Sequence, residues 1–114
     1  CMAEAIHGEA RGEPHEGKVF VGQVILTRLH LGYQKTICEV VYAPQQFAPR
    51  RGYNVAAAKA TKEAIRKGPN GVTHFHSYKK QISPNASFSS RCLAKGKVGG
   101  HWGFSCNDRA PASR

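Results

Sequence analysis

The sequence predicts a mainly helical α+β fold: a single domain with a small antiparallel β element near the carboxyl terminus. Apolar residues recur at helical spacing in Gly17–Leu31, and Val55–Lys67 consists largely of Ala, Lys and other good helix formers. Beyond Gly71 the pattern changes to short β-prone runs separated by Gly, Pro and Ser. The 114 residues are enough for one domain and not for two.

The first half of the chain predicts two helices joined by a turn. Residues 1–10 contain good helix formers with apolar residues on one side, while Gly12 and Pro14 end any continuation. Residues 11–16 then form the turn. The buried central helix follows over Gly17–Leu31, where the length of the apolar run favours a helix over a strand.

Two further helices each have a capping side chain in place. Thr36 precedes a short helix ending at Tyr42, and Glu39 follows Thr36 by three residues, as in a capping box. Asn54 is the predicted cap of the helix Val55–Lys67, which a Gly-Pro pair ends.

The remainder predicts two strands and a tail. Val72–Tyr78 and His101–Cys106 read as strands that pair antiparallel, with residues 79–91 as the loop between them. We therefore assign residues 1–106 to one folded domain. Residues 107–114 carry no core positions and are expected to form a flexible tail.

Composition limits the partners and the cellular context. A net charge of +10 favours an anionic partner such as nucleic acid, an anionic membrane surface or a cell-wall polymer. No apolar run approaches the roughly 18 residues of a membrane span. The four cysteines lack CxxC spacing and allow three disulfide pairings, with four buried thiols as the alternative. Because the chain begins at Cys1 without a signal-like segment, we expect a mature fragment or a trimmed domain.

Acidic residues concentrate at the amino terminus, where four of the seven fall within the first sixteen positions. Glu9 and Glu13 would lie about 5–6 Å apart on a continuous helix, but Gly12 and Pro14 make that continuity improbable. A single Glu can act as acid and then as base. The helix carboxyl terminus should raise the pKa of Glu9. The alternative is a solvated helix face.

Histidines and aromatic residues supply the competing hypotheses. His74 and His76 share a strand face and could join His101 in a zinc triad of an amidase or peptidase, although no HExxH spacing is present. Serine or cysteine nucleophiles have no local signature such as GxSxG. Phe75 and Trp102 could stack on nucleic-acid bases or on sugars. Since the basic residues are scattered, we expect no specific nucleic-acid partner, and a non-catalytic basic binder remains an alternative.

Four segments together resemble the cell wall hydrolase family of SleB type, the spore cortex-lytic enzymes and their relatives. They are IHGEARGEPHEGKVFVGQVILTRL, TICEVVYAPQQFA, THFHS and GGHWGFS, in the family's order, within residues 1–106. The first is the most specific. The chain departs from the family pattern at Ala48–Arg51, where Ser or Thr and an aromatic residue are common.

The resemblance implies a lysozyme-like fold that acts on the glycan strands of peptidoglycan. It implies a lytic transglycosylase in which Glu9 is the general acid/base, so that neither a second carboxylate nor a metal or other cofactor is required. Ordinary hydrolysis by a muramidase is the alternative reaction. A monomer acting outside the cytoplasm, or delivered by a phage to the cell wall, is expected.

The same matching, together with sugar stacking by aromatic residues, predicts the substrate-binding residues of the cleft. They are Glu13, Gln46, Phe47, His74, Phe75, His76, His101 and Trp102.

Overall fold

Four helices and a three-stranded sheet make up the part of the protein that the computed structural model describes, which is residues 1–43, 47, 49, 51–77 and 92–106, with only the backbone of His76 and Ser77. The elements are α1 (Met2–Ala10), α2 (His15–His30), α3 (Ile37–Tyr42), α4 (Val55–Lys67), β1 (His74–Ser77), β2 (Cys92–Val98) and β3 (His101–Cys106). The predicted class, mainly helical with a small antiparallel sheet, is confirmed.

The helices pack around one aliphatic core. Ile6 of α1, Val21 and Ile25 of α2, and Val41 of α3 are fully buried. Helix α4 approaches α2 closely because residue 22 is glycine: a β-carbon there would lie 2.6 Å from Cβ of Ala64. Interiors of this density tolerate no added methyl group without movement.

Both predicted helix caps are present. The Thr36 side chain accepts a hydrogen bond from the Glu39 backbone N–H, and the Asn54 side chain accepts one from Ala57. Helix α2 begins at His15, two residues earlier than predicted. The carbonyl of Pro14 accepts bonds from the backbone N–H groups of Gly17 and Lys18, and thus starts the helix directly after the turn.

The sheet has the order β1-β3-β2 with antiparallel pairing throughout. Pairing of the two predicted strands is confirmed, and β3 has the predicted bounds. Strand β2 was not predicted. Its sequence, CLAKGKV, is rich in Lys and Gly and lacks a clear apolar alternation, so long-range pairing with β3 rather than local propensity makes it a strand.

Two disulfides settle the pairing that the sequence left open. Cys1 is bonded to Cys38, which joins the start of α1 to α3, and Cys92 is bonded to Cys106, which joins the outer ends of β2 and β3. Closing a loop of about 15 residues, as the second bridge does, stabilises a fold by about 3 kcal/mol in the chain-entropy treatment. In the described part of the chain, no helix is long and apolar enough to cross a membrane.

Candidate active site

Glu9 lies in the last turn of α1 and is half-buried. The helix ends at Ala10, and a tight turn follows in which the Glu13 N–H donates to the Ala10 carbonyl at 2.9 Å. Arg11 has φ −63° and ψ 126°, and Gly12 has φ 94°, the dihedral angles of a type II turn that requires glycine at its third position. Glu9 and Glu13 therefore do not lie on one helix face. This agrees with the sequence, in which Gly12 and Pro14 argue against a continuous helix.

The Glu13 carboxylate binds the turn of the hairpin between β2 and β3. Its Oε1 atom accepts a hydrogen bond of 2.6 Å from the backbone N–H of Gly100, a residue 87 positions away. The Glu13 backbone carbonyl also accepts a bond from the buried Lys18 ammonium. Gly99 has φ 59°, and a β-carbon there would lie 2.8 Å from Oε1 of Glu13. The hairpin turn thus closes directly onto this carboxylate.

An aromatic cluster lies beside that hairpin, under the sheet. The Phe20 ring of α2 stacks on His101 with 6.1 Å between centroids, and Phe75 meets His101 edge-on at 5.1 Å. Phe47 lies 6.0 Å from Phe75. The absence of a side chain at Gly103 admits the Phe20 ring, because a β-carbon there would be 2.8 Å from Cζ. Three predicted residues, Phe47, Phe75 and His101, are therefore brought together.

His101 is 4% exposed, and neither ring nitrogen has a hydrogen-bond partner among the described residues. Burial lowers the pKa of His101 below its usual 6.5, and the negative charge of Glu13 opposes this only in part. The imidazole is thus held neutral, with one N–H donor and one acceptor nitrogen.

Arg28 is a feature of the site that sequence reasoning missed. It is 5% exposed, and its Nε atom donates to the Thr73 carbonyl at 2.6 Å, just before β1. Its guanidinium lies 5.1 Å from the Phe47 ring centroid and 5.3 Å from that of Tyr33, both within cation–π range. An Arg that follows the apolar run VILT within α2 was the available signal.

The two faces of the sheet separate the histidines. His74 pairs with Phe104 and Ser77 pairs with His101, and since side chains alternate along a strand, His74 and His101 point to opposite faces. The Nδ1 atom of His74 instead lies 2.8 Å from the hydroxyl oxygen of Thr73. The hypothetical zinc triad therefore does not form, and the described residues contain no group of three or more metal-ligating side chains.

The other predicted site residues are dispersed. Trp102 lies on the His74 face, where the Lys97 ammonium is 5.8 Å from its ring centroid. His76 pairs with Trp102 through the strand register, and its side chain is outside the described part. Gln46 also lies outside the described residues, as do residues 107–114, which were predicted to form a tail.

Known proteins with similar catalytic domains match this chain in structure. The catalytic domain of the germination-specific lytic transglycosylase SleB from Bacillus anthracis superposes with a TM-score of 0.75 and 27% identity, covering 92% of this chain and 89% of that one. The catalytic domain of Bacillus cereus SleB gives 0.74 and 27%, covering 92% and 85%.

The sequence relatives are described as spore cortex-lytic enzymes. A spore cortex-lytic enzyme of Oceanobacillus iheyensis is 49% identical over 47 residues, which are 40% of this chain and 17% of the relative. That of Bacillus cereus is 39% identical over 71 residues, covering 56% and 27%. The chain thus spans less than a third of the length of these relatives. The family described as Cell Wall Hydrolase matches residues 12–102. Because that match covers well over half of the chain, the protein belongs to the Cell Wall Hydrolase family.

Proposed function

We propose that this domain is a lytic transglycosylase that cleaves peptidoglycan between N-acetylmuramic acid and N-acetylglucosamine. The observation that carries the proposal is its overlap, across 92% of the chain, with a catalytic domain described as a lytic transglycosylase. Glu9, in the segment that resembles the SleB-type family most specifically, is the proposed catalytic residue.

The chemistry requires one carboxyl group that gives and then takes a proton. Glu9 donates its proton to the glycosidic oxygen as the bond to the muramoyl C1 breaks. The resulting carboxylate accepts the proton of the muramoyl C6 hydroxyl, whose oxygen bonds to C1 and closes a 1,6-anhydro ring. The placement of Glu9 in the last turn of a helix supports this role, because the negative end of the helix dipole favours a protonated carboxyl group.

Glu13 is proposed as a positioning residue and not as a second acid. Its carboxylate is engaged by the Gly100 N–H, and the bond fixes the turn that immediately precedes His101. With its Oε1 atom bound to the hairpin turn, the Glu13 carboxyl group is poorly placed to deliver a proton to substrate.

The substrate-binding surface that we propose centres on Phe47, Phe75 and His101. The part-exposed rings of Phe47 and Phe75 are suited to stacking on sugar faces, and the buried His101 packs against Phe75 and supports its position. Gln46, His74, His76 and Trp102 stay predictions, and His74 and Trp102 belong to the other face of the sheet.

The setting that we propose is outside the cytoplasm, at the cell wall or spore cortex, with the domain acting as a monomer. Two disulfides suit an oxidising compartment. A net charge of +10 favours encounter with a wall polymer that carries many carboxylates.

Product analysis tests the proposal. Purified peptidoglycan is digested with and without a chelator, and the fragments are analysed by mass spectrometry. We expect chelator-insensitive release of fragments ending in anhydromuramic acid. Fragments with only ordinary reducing ends would instead identify a hydrolase, and chelator-sensitive release of peptides would identify an amidase. Intact peptidoglycan combined with salt-dependent DNA binding would leave a non-catalytic basic binder.

A further inference from the structure

A groove lies between α2, the end of α4 and the edge strand β2. It encloses about 390 Å³, and Glu9 does not line it. Its floor is apolar and is formed by Val19, Phe20, Val72 and Val98. A concave apolar floor with a few polar groups at its rim is the usual form of a binding site.

An irregularity in β2 places a lysine at the rim of this groove. Ala94 pairs with Phe104 and Gly96 pairs with Gly103, so Lys95 is an extra residue in the strand, a β-bulge. Gly96 has φ 114°, which makes the bulge possible. Bulges redirect side chains and recur beside functional sites. Lys95 is exposed and lines the groove.

The rim carries one available charge of each sign. Lys95 and Glu16 are both exposed, and neither forms an ion pair within the described ranges. The nearby Glu63 differs, because Arg66 contacts its carboxylate at 2.6 Å and Lys67 lies 3.9 Å away. A ligand that carries both a carboxylate and an ammonium group, with small aliphatic parts between them, would complement Lys95, Glu16 and the floor.

We propose that this groove binds the stem peptide of peptidoglycan, which offers that combination of carboxylates, a diamino-acid amine and alanine methyl groups. The proposal rests on the proposed function. The tight turn between α1 and α2 keeps Glu16 within roughly 20 Å of Glu9. An extended peptide of five residues spans at most about 18 Å, which is comparable to this separation.

Peptide binding tests the groove without any need for catalysis. The probe is the N-acetylated tetrapeptide L-Ala-γ-D-Glu-diaminopimelate-D-Ala, titrated while the methyl resonances of Val19, Val72 and Val98 are recorded by NMR. We expect shifts of these methyl groups and, in Lys95→Glu, a dissociation constant higher by about fivefold. Lys59→Glu is the matched control, since Lys59 is exposed on α4 and does not line the groove. Absence of methyl shifts, or equal affinity in both variants, overturns the proposal.

Kinetics then separate this proposal from the proposed function. Turnover is compared on intact peptidoglycan and on glycan strands stripped of peptides by an amidase. We expect Lys95→Glu to raise KM about fivefold on intact strands only, with kcat unchanged. The same change on both substrates overturns the peptide site. Failure of the wild type to cleave either substrate counts against the transglycosylase assignment, while the peptide titration still decides the groove.

Discussion

The helices and the sheet of this protein are held together in different ways. The helical half has a continuous aliphatic core, close helix contacts at Gly22 and its own capping side chains. The sheet, with β3 at its centre, is connected to the helices largely through aromatic and polar contacts. Gly100 binds Glu13, and Thr73 binds Arg28.

This contrast shows where stability and chemistry reside. Local sequence patterns and dense packing are sufficient for the helices, whereas the sheet depends on contacts between residues far apart in the chain. The rings proposed to stack on substrate, Phe47 and Phe75, lie along the junction of the two halves, where Phe75 meets His101. Changes in the aliphatic core of the helical half should therefore alter stability, and changes at the junction should alter activity as well.

Loss of the Arg28 link should have the largest effect on stability. In Arg28→Met the Thr73 carbonyl loses a charged donor and both cation–π contacts disappear. We expect the free energy of unfolding to fall by about 2–3 kcal/mol, measured by urea denaturation. Arg66→Met, which removes an exposed ion pair, is the control and should cost less than about 1 kcal/mol. Equal losses in the two variants would contradict a junction held by Arg28.

A methyl group added between α2 and α4 tests the packed half. Gly22→Ala forces a contact with Ala64, and we expect a loss of about 1–2 kcal/mol on urea denaturation, with kcat of the folded enzyme unchanged. The double variant Gly22→Ala/Ala64→Gly moves the methyl group from one helix to the other and should recover most of the loss. A double variant as unstable as the single one would show that the close approach is not the cause.

Removal of the Glu13 carboxylate, which binds the hairpin turn, should affect activity more than stability. Glu13→Ala frees the Gly100 N–H and the turn before His101, with an expected stability loss of about 1 kcal/mol. Catalysis is sensitive to small displacements of substrate-binding groups, so kcat/KM should fall by about tenfold or more. Glu13→Gln keeps an acceptor oxygen and should restore most of the activity. Equal activity in the Ala and Gln variants would refute a positioning role.

The smallest effect expected is the pH dependence contributed by His101. Because burial lowers the pKa of His101 in the folded state, the unfolded chain binds a proton more readily below pH 6.5. The free energy of unfolding should therefore be unaffected by this group above about pH 7.5 and decrease as pH falls through 6.5, by at most about 1.4 kcal/mol per unit. His101→Phe should show a flatter decline between pH 7.5 and 5, and parallel profiles would contradict a buried neutral imidazole.

The same contrast explains how far the sequence could predict the structure. The caps Thr36 and Asn54 act within three residues, and the turn after α1 needs only Gly12 and Pro14, so these features were predictable. Strand β2 was missed because its Lys and Gly residues become a strand only through pairing with β3. The partner of Glu13 lies 87 residues away, and no local pattern announces it.

The disulfides and the candidate site also depend on contacts between residues far apart in the chain. Three pairings of four cysteines were equally compatible with the sequence, and the fold selects Cys1–Cys38 and Cys92–Cys106. The three histidines were grouped correctly as residues of one small sheet, yet the strand register puts His74 and His101 on opposite faces. Register is a property of the paired strands and could not be derived from either strand alone.

Glu9 alone is proposed to supply both the acid and the base. The most direct measurement is the rate of peptidoglycan solubilisation by Glu9→Gln, with Glu39→Gln as a carboxamide control outside the site. We expect Glu9→Gln to lose activity by roughly 10²–10⁴-fold. Its circular dichroism spectrum and unfolding midpoint should match those of the wild type. A folded Glu9→Gln variant that retains more than about a tenth of wild-type activity would contradict the account.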